Sequence, residues 1–194
     1  MATGIKLAPP YACLGMGKYE SIAFNSDFEL LDRILLWKRF IDDVLMLFDG
    51  SKEECEKLVD WLNSLLPGVI KFKFQYSTEM VEFLDLEIFV ENERLETNLF
   101  IKPSNLQLYL DFFSNHPEPC KQGVVYGQAL RIVEICSKVD DWDHHLENLK
   151  SKLQKRNYPE KLIDEKISQA KKKTRKELVY QKRKGGGGRT RKPD

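Results

Sequence analysis

No run of about 18 apolar residues occurs in this 194-residue chain, and charged side chains interrupt its apolar stretches, which excludes a membrane-spanning helix read from hydropathy. The opening residues, Met1-Ala2-Thr3-Gly4-Ile5-Lys6, lack the apolar core of a secretory signal, so the expectation is an intracellular protein. Cysteine is sparse and scattered: Cys13, Cys55, Cys120 and Cys136 form no Cys-x-x-Cys pair, which argues against a disulfide framework or a cysteine-rich zinc module. A looser set, His116, Cys120, Cys136 and His144, matches no common zinc spacing, and its cysteines lie among apolar residues and read as buried thiols. With only 3 histidines and no nucleophile near His144-His145, that pair reads as exposed helical residues rather than a general base. No internal repeat is evident.

What is there suffices for a core. The hydrophobic share is 42%, with 11 Phe, 7 Tyr and 3 Trp, although the length is short for two independent domains of ordinary size. Charge is unevenly placed. From Lys171 onward there are 11 Lys or Arg against 2 acidic residues, a net of +9, while the preceding residues hold 20 basic and 28 acidic side chains, a net of −8. Only the tail has a composition suited to phosphate contacts.

Periodicity sketches the order of elements. Pro9-Pro10 suits a helix start, and Tyr11 to Ile22 reads as helical despite Gly15 and Gly17. Phe24, Phe28, Leu31 and Leu35 recur like a core-facing helical stripe. Trp37 to Ile41 and Val44 to Phe48 read as strands joined by a tight turn at Asp42-Asp43, with Trp37 and Phe40 as core residues. Ser51 and Glu54 form a capping box for a helix buried through Cys55, Leu58, Val59, Leu62 and Leu65, ended by Pro67-Gly68. Val69 to Tyr76 alternates as a half-exposed strand, and Phe83 to Val90 with Arg94 to Ile101 forms a hairpin about Glu91-Asn92-Glu93. After Lys102-Pro103 and an aromatic stretch at Tyr109, Phe112 and Phe113, three helices follow: Gln122 to Val139, Asp143 to Gln154, and one carrying Leu162, Ile163, Ile167 and Ala170. The fold class is α+β, a small antiparallel sheet with helices followed by a three-helix bundle. The Gly185 to Gly188 run and the basic residues around it read as a disordered tail.

Phe40-Ile41-Asp42-Asp43-Val44 is the sharpest chemical feature, since paired carboxylates at a hairpin turn can hold magnesium beside a phosphate chain. Together with Gly4-Ile5-Lys6-Leu7-Ala8-Pro9-Pro10-Tyr11-Ala12, Phe83 to Ile88, Thr97 to Pro103, His116-Pro117, Gln128 to Ile132 and Tyr158 to Ile163, it resembles in order the reverse transcriptases of Penelope-like retroelements. The resemblance implies a partial palm over residues 1–103, a thumb-like or helix-turn-helix-like region over 104–170 and a basic tail over 171–194. It implies a partial RNA-directed DNA polymerase, with Asp42 and Asp43 as catalytic and metal ligands for Mg2+ and with Gly4, Lys6, Pro9 and Tyr11 at the substrate. The upstream palm aspartate and fingers have no counterpart in the chain, and Ile5 and Cys13 stand where the family commonly has Thr and Asn. Inactivity alone is therefore the expectation, and a primer-template, a complementary chain or a homo-oligomer are the expected partners. Asp85 and Glu87 read as a polar strand edge.

A second reading is a nucleic-acid-binding or assembly module. The helices from Lys121 to Tyr158 invite comparison with a helix-turn-helix, but Glu134, Asp140, Asp141, Asp143 and Glu147 speak against a DNA reader. Candidate phosphate contacts are Arg131, Lys138, Lys171, Lys172, Lys173, Arg175, Lys176, Lys182, Arg183 and Lys184, whose basic clusters also permit nuclear import.

Overall fold

The computed structural model describes residues 6–179; Gly4, Lys182, Arg183, Lys184 and the Gly/Arg segment of the tail lie outside them. The chain divides into two compact units, Met1–Leu84 and Asp85–Asp194. In coarse terms it is a mixed α+β protein with small antiparallel sheets and a C-terminal three-helix bundle.

In the first unit, helix α1 (Ala8–Phe24) carries its prolines in the first turn, where no intrahelical N–H is required. It buries Tyr19 and Ala23. The Tyr19 hydroxyl donates to the Leu62 carbonyl at 2.6 Å, and burial pushes the phenol up to about 12. Strands β1 (Ile34–Phe40) and β2 (Asp43–Phe48) pair antiparallel with Phe40 opposite Asp43, so the turn is Ile41-Asp42, one residue earlier than the sequence suggests. Ile41 adopts φ 57°, a conformation that disfavours a β-branched residue, and Arg39 Nη1 props its carbonyl at 2.8 Å. The same arginine grips Glu20 of α1 through Nε at 2.7 Å, where Trp37 Nε1 also donates at 2.8 Å. Burial raises the Glu20 carboxyl, but these hydrogen bonds outweigh it and hold the group below its ordinary value.

Helix α2 (Lys52–Leu65) starts on the expected capping box: Glu54 N donates to Ser51 Oγ at 3.3 Å and Ser51 N to Glu54 Oε2 at 2.8 Å. Its Leu58 and Leu62 join Tyr19, Ala23 and Leu30 in the core, with Trp37 and Phe72 packed against them. Two expectations fail in this unit. The Phe24 to Leu35 stripe is not a helix: Leu31–Arg33 is a short 3-10 turn, and Leu35 enters β1 with 70% of its surface exposed. Residues 71–77 are not in a strand, because no neighbouring strand pairs with them; the short strand β3 (Met80–Phe83) follows only after a Ser77 turn.

The second unit opens with the hairpin β4 (Leu86–Glu91) and β5 (Arg94–Leu99), whose turn residues Asn92 and Glu93 both have positive φ, as a two-residue type I′ connection requires. Helices α3 (Glu118–Ile135), α4 (Val139–Gln154) and α5 (Glu160–Lys171) form the bundle. Val125, Ala129, Ile132, Leu146, Leu149, Leu153, Ile163 and Ala170 meet in its core with Leu99 of β5. The first helix ends at Ile135 rather than running on to Val139. Thr97 intercepts it: Thr97 Oγ1 donates to the Ile135 carbonyl at 2.6 Å, and Ser137 N donates to the Thr97 carbonyl at 2.8 Å.

Ser51→Ala removes the side-chain half of the capping box and is expected to lower the stability of the first unit by about 1 kcal/mol. Urea unfolding followed by tryptophan fluorescence measures this, and Ser51→Asp should retain most of the wild-type midpoint.

Candidate nucleic-acid interface

The connection from α4 to α5 fixes how α5 is presented. Asn157 takes φ 65°, Tyr158 N donates to the Leu153 carbonyl at 3.2 Å and Asn157 N to the Gln154 carbonyl at 3.0 Å. This is the Schellman pattern, with asparagine where glycine is commonest and with buried Leu153 and Tyr158 making its apolar contact. The preceding irregular segment braces the turn: Phe112 N donates to the Arg156 carbonyl at 3.0 Å, Asn157 Nδ2 to Asp111 at 3.0 Å, and the Phe112 and Tyr158 rings lie 5.3 Å apart.

From that turn α5 sends Ile163 and Ala170 into the core and leaves Lys161, Glu165, Ser168, Gln169 and Lys172 exposed. These positions recur at helical spacing and make one polar stripe along the outer face. The other acids of the helix are engaged elsewhere. Lys150 of α4 binds both Glu160 at 2.8 Å and Asp164 at 2.7 Å, and these carboxylates push its ammonium pKa up. Asp143 is paired with Lys171 at 2.6 Å.

The candidate phosphate contacts divide accordingly. Arg131 is paired with Asp85 at 2.6 Å, and Lys138 with Glu91 while it lies over the Phe89 ring at 5.4 Å. Arg175 donates to the Glu134 carbonyl at 3.0 Å and to Thr97 Oγ1 at 2.9 Å. Lys172, Lys173 and Lys176 are exposed and form no ion pair within 4 Å among the described residues, although Lys173 is close enough to Glu177 to add to the Thr174 hydrogen bonds that lower its carboxyl pKa. The sequence reading missed Lys161, Ser168 and Gln169; the polar stripe opposite Leu162, Ile163, Ile167 and Ala170 was the signal that points to them.

Inside the unit one amide gathers three elements. Asn98 Oδ1 accepts from Leu99 N at 2.8 Å and from Cys136 Sγ at 3.4 Å, and it lies 2.9 Å from His145 Nε2. Asn98 Nδ2 donates to Glu87 at 3.2 Å, which fixes the amide's orientation. An oxygen facing Nε2 makes that nitrogen the protonated one, and Nδ1 is left buried without a partner among the described residues. Burial, then His144, pushes the His145 pKa down against the opposing Asp141. Burial likewise pushes the Cys136 thiol up to about 11.

The remaining candidates are spread over the surface. Lys6, Pro9 and Tyr11 are exposed at the start of α1, and Asp42 and Asp43 are exposed at the β1–β2 turn. Among the described residues no group of three or more His, Cys, Asp or Glu side chains is arranged to hold a metal ion. Cys120 is exposed and Cys136 buried at Asn98, so the looser zinc set is not assembled either.

Residues 108–168 match the animal helix-turn-helix domain, a span that takes in all of α3 and α4 and most of α5. No characterised protein and no solved structure matches the chain. The match corrects the reading of the chain as a Penelope-like reverse transcriptase palm and thumb: of the thumb-like and helix-turn-helix-like descriptions of residues 104–170, it supports the second. The polymerase function is corrected with it. Two-metal phosphoryl transfer needs carboxylates converging on the ions, and no such cluster forms around Asp42 and Asp43 among the described residues.

The lowered His145 pKa sets a sign for pH dependence. The unfolded chain takes up this proton more readily than the folded one, so stability is full above about pH 6.5 and falls as the pH drops through the folded value. Urea midpoints at neutral and mildly acidic pH should show that loss, and His145→Gln should flatten it while keeping a donor to Asn98.

Proposed function

We propose that the helical part of the second unit is a nucleic-acid-binding module that presents the outer face of α5 to a DNA duplex. The observation that carries this reading is the polar stripe on α5, followed by three exposed lysines that form no ion pair within 4 Å among the described residues. A helix laid in the major groove needs side chains that hydrogen-bond base edges, which Ser168 supplies and Gln169 supplies on exchanging the Glu165 carboxylate it donates to at 2.9 Å, and flanking cations for phosphates, which Lys161, Lys172, Lys173 and Lys176 supply. The similarity to a helix-turn-helix domain supports the same reading. The acids that spoke against it, Asp140, Asp141, Asp143 and Glu147, lie on α4, and Glu134 lies near the end of α3; the acid that does lie in the α5 stripe, Glu165, accepts a hydrogen bond from Gln169 at 2.9 Å.

Fluorescence anisotropy of the full chain on mixed-sequence duplexes, over a range of salt, tests the proposal. The triple variant Lys172→Ala, Lys173→Ala, Lys176→Ala should bind at least tenfold more weakly at low salt and shed about three from the slope of log affinity against log salt. Gln169→Ala should leave that slope in place while reducing discrimination between duplexes. Absence of binding by the intact chain, or a triple variant with unchanged affinity and slope, overturns the proposal.

A further inference from the structure

Residues 71–77, Lys-Phe-Lys-Phe-Gln-Tyr-Ser, carry the alternation of a strand but no strand partner. Among the described residues their backbone is met from the side by Asn63 of α2, which accepts from Phe72 N at 2.6 Å and donates to the Phe72 carbonyl at 3.2 Å, as a neighbouring strand residue would. No backbone–backbone hydrogen bond involves residues 71–79 among the described residues. In an extended run, amides alternate in direction, so the edge away from Asn63 presents the N–H and C=O groups of Lys71, Lys73 and Gln75. Ile70 and Phe72 pack on the core of the first unit, whereas Phe74 and Tyr76 remain 41% and 36% exposed. An unpaired edge with exposed aromatics is a template for another strand.

We infer that this edge pairs with the same segment of a second copy of the chain, antiparallel about a twofold axis at Phe74. The sequence is self-complementary in that register. Phe74 faces its own copy, Phe72 faces Tyr76, Lys73 faces Gln75 and Lys71 faces Ser77, giving an aromatic ladder on one face and no lysine opposite a lysine. An axis at Lys73 sets Lys73 against itself, and an axis at Phe72 sets Lys71 against Lys73. An axis at Gln75 needs pairing to reach Glu79, which the turn made by Ser77 Oγ with Glu79 N and Met80 N at 3.2 Å prevents. Residues 180–194 do not suit the edge, because they bring lysine, arginine and glycine to an edge that already carries Lys71 and Lys73.

Sedimentation velocity of the full chain should show a reversible dimer that fills as concentration rises to about 100 µM. Lys73→Pro deletes one of the exposed N–H groups without touching the core and should leave a folded monomer, with circular dichroism checking the fold. In a Cys13→Ser, Cys120→Ser background, Phe74→Cys should give a disulfide-linked dimer on mild oxidation, because directly opposed residues bring their β-carbons within bridging distance. Gln75→Cys, which faces position 73, should link much less. A chain that stays monomeric throughout that range, a Lys73→Pro variant that still dimerises, or equal linking through positions 74 and 75 overturns the inference.

Discussion

The side-chain amide of Asn98 holds the second unit together in a way no apolar contact does. Its oxygen serves the backbone of β5, the thiol that closes α3 and an imidazole on α4, and its nitrogen reaches back to Glu87 on β4. Three donors converging on one oxygen in a half-buried place fix the register of a hairpin against two helices, whereas Leu or Val contacts tolerate sliding. Thr97, one residue earlier, repeats the device with the end of α3. Together these two residues decide where α3 stops, and the direction of α4 follows from that stop.

Much of the fold was legible because its signals are local. The capping box at Ser51, the apolar runs flanking Asp42-Asp43 and the hairpin about Glu91-Asn92-Glu93 are each written within a few residues. The failures needed information from a distance. The stripe from Phe24 to Leu35 has helical spacing, but Leu31–Arg33 tightens into a 3-10 turn and the chain passes into a strand. The overextended end of α3 needed Thr97, some forty residues upstream, to be known as its terminator. Alternation from Val69 to Tyr76 suggested a strand, but only Ile70 and Phe72 pack on the core; a strand also requires a neighbour, and alternation carries no information about one.

The proposed site was harder to read than the fold because charge along the chain does not follow charge across space. Acids between Glu134 and Glu147 discouraged a nucleic-acid reading, yet they lie on α3 and α4. On α5 itself, Glu160 and Asp164 are turned to Lys150. Conversely, Arg131, Lys138 and Arg175 looked available and are engaged by Asp85, Glu91 and backbone or hydroxyl oxygens. A lysine free to meet a phosphate is one that the fold has left over, and sequence composition does not distinguish it from a lysine already committed. The paired aspartates illustrate the same point in reverse, since two adjacent carboxylates form a metal site only when other ligands are brought to them.

Arg175 gives the cationic end of the bundle a mechanical property. Its guanidinium spans the Glu134 carbonyl and the Thr97 hydroxyl, so the backbone leaving α5 is fastened again one helical turn later. Lys172 and Lys173 lie between two fixed points, and Lys176 lies immediately beyond the second. The backbone beneath these ammonium groups has thus lost much of its conformational entropy before any polyanion arrives, and a strand of phosphates need order only the side chains. In that sense Arg175 acts as a strut: without touching a ligand, it sets how stiffly the neighbouring charges are held out to one.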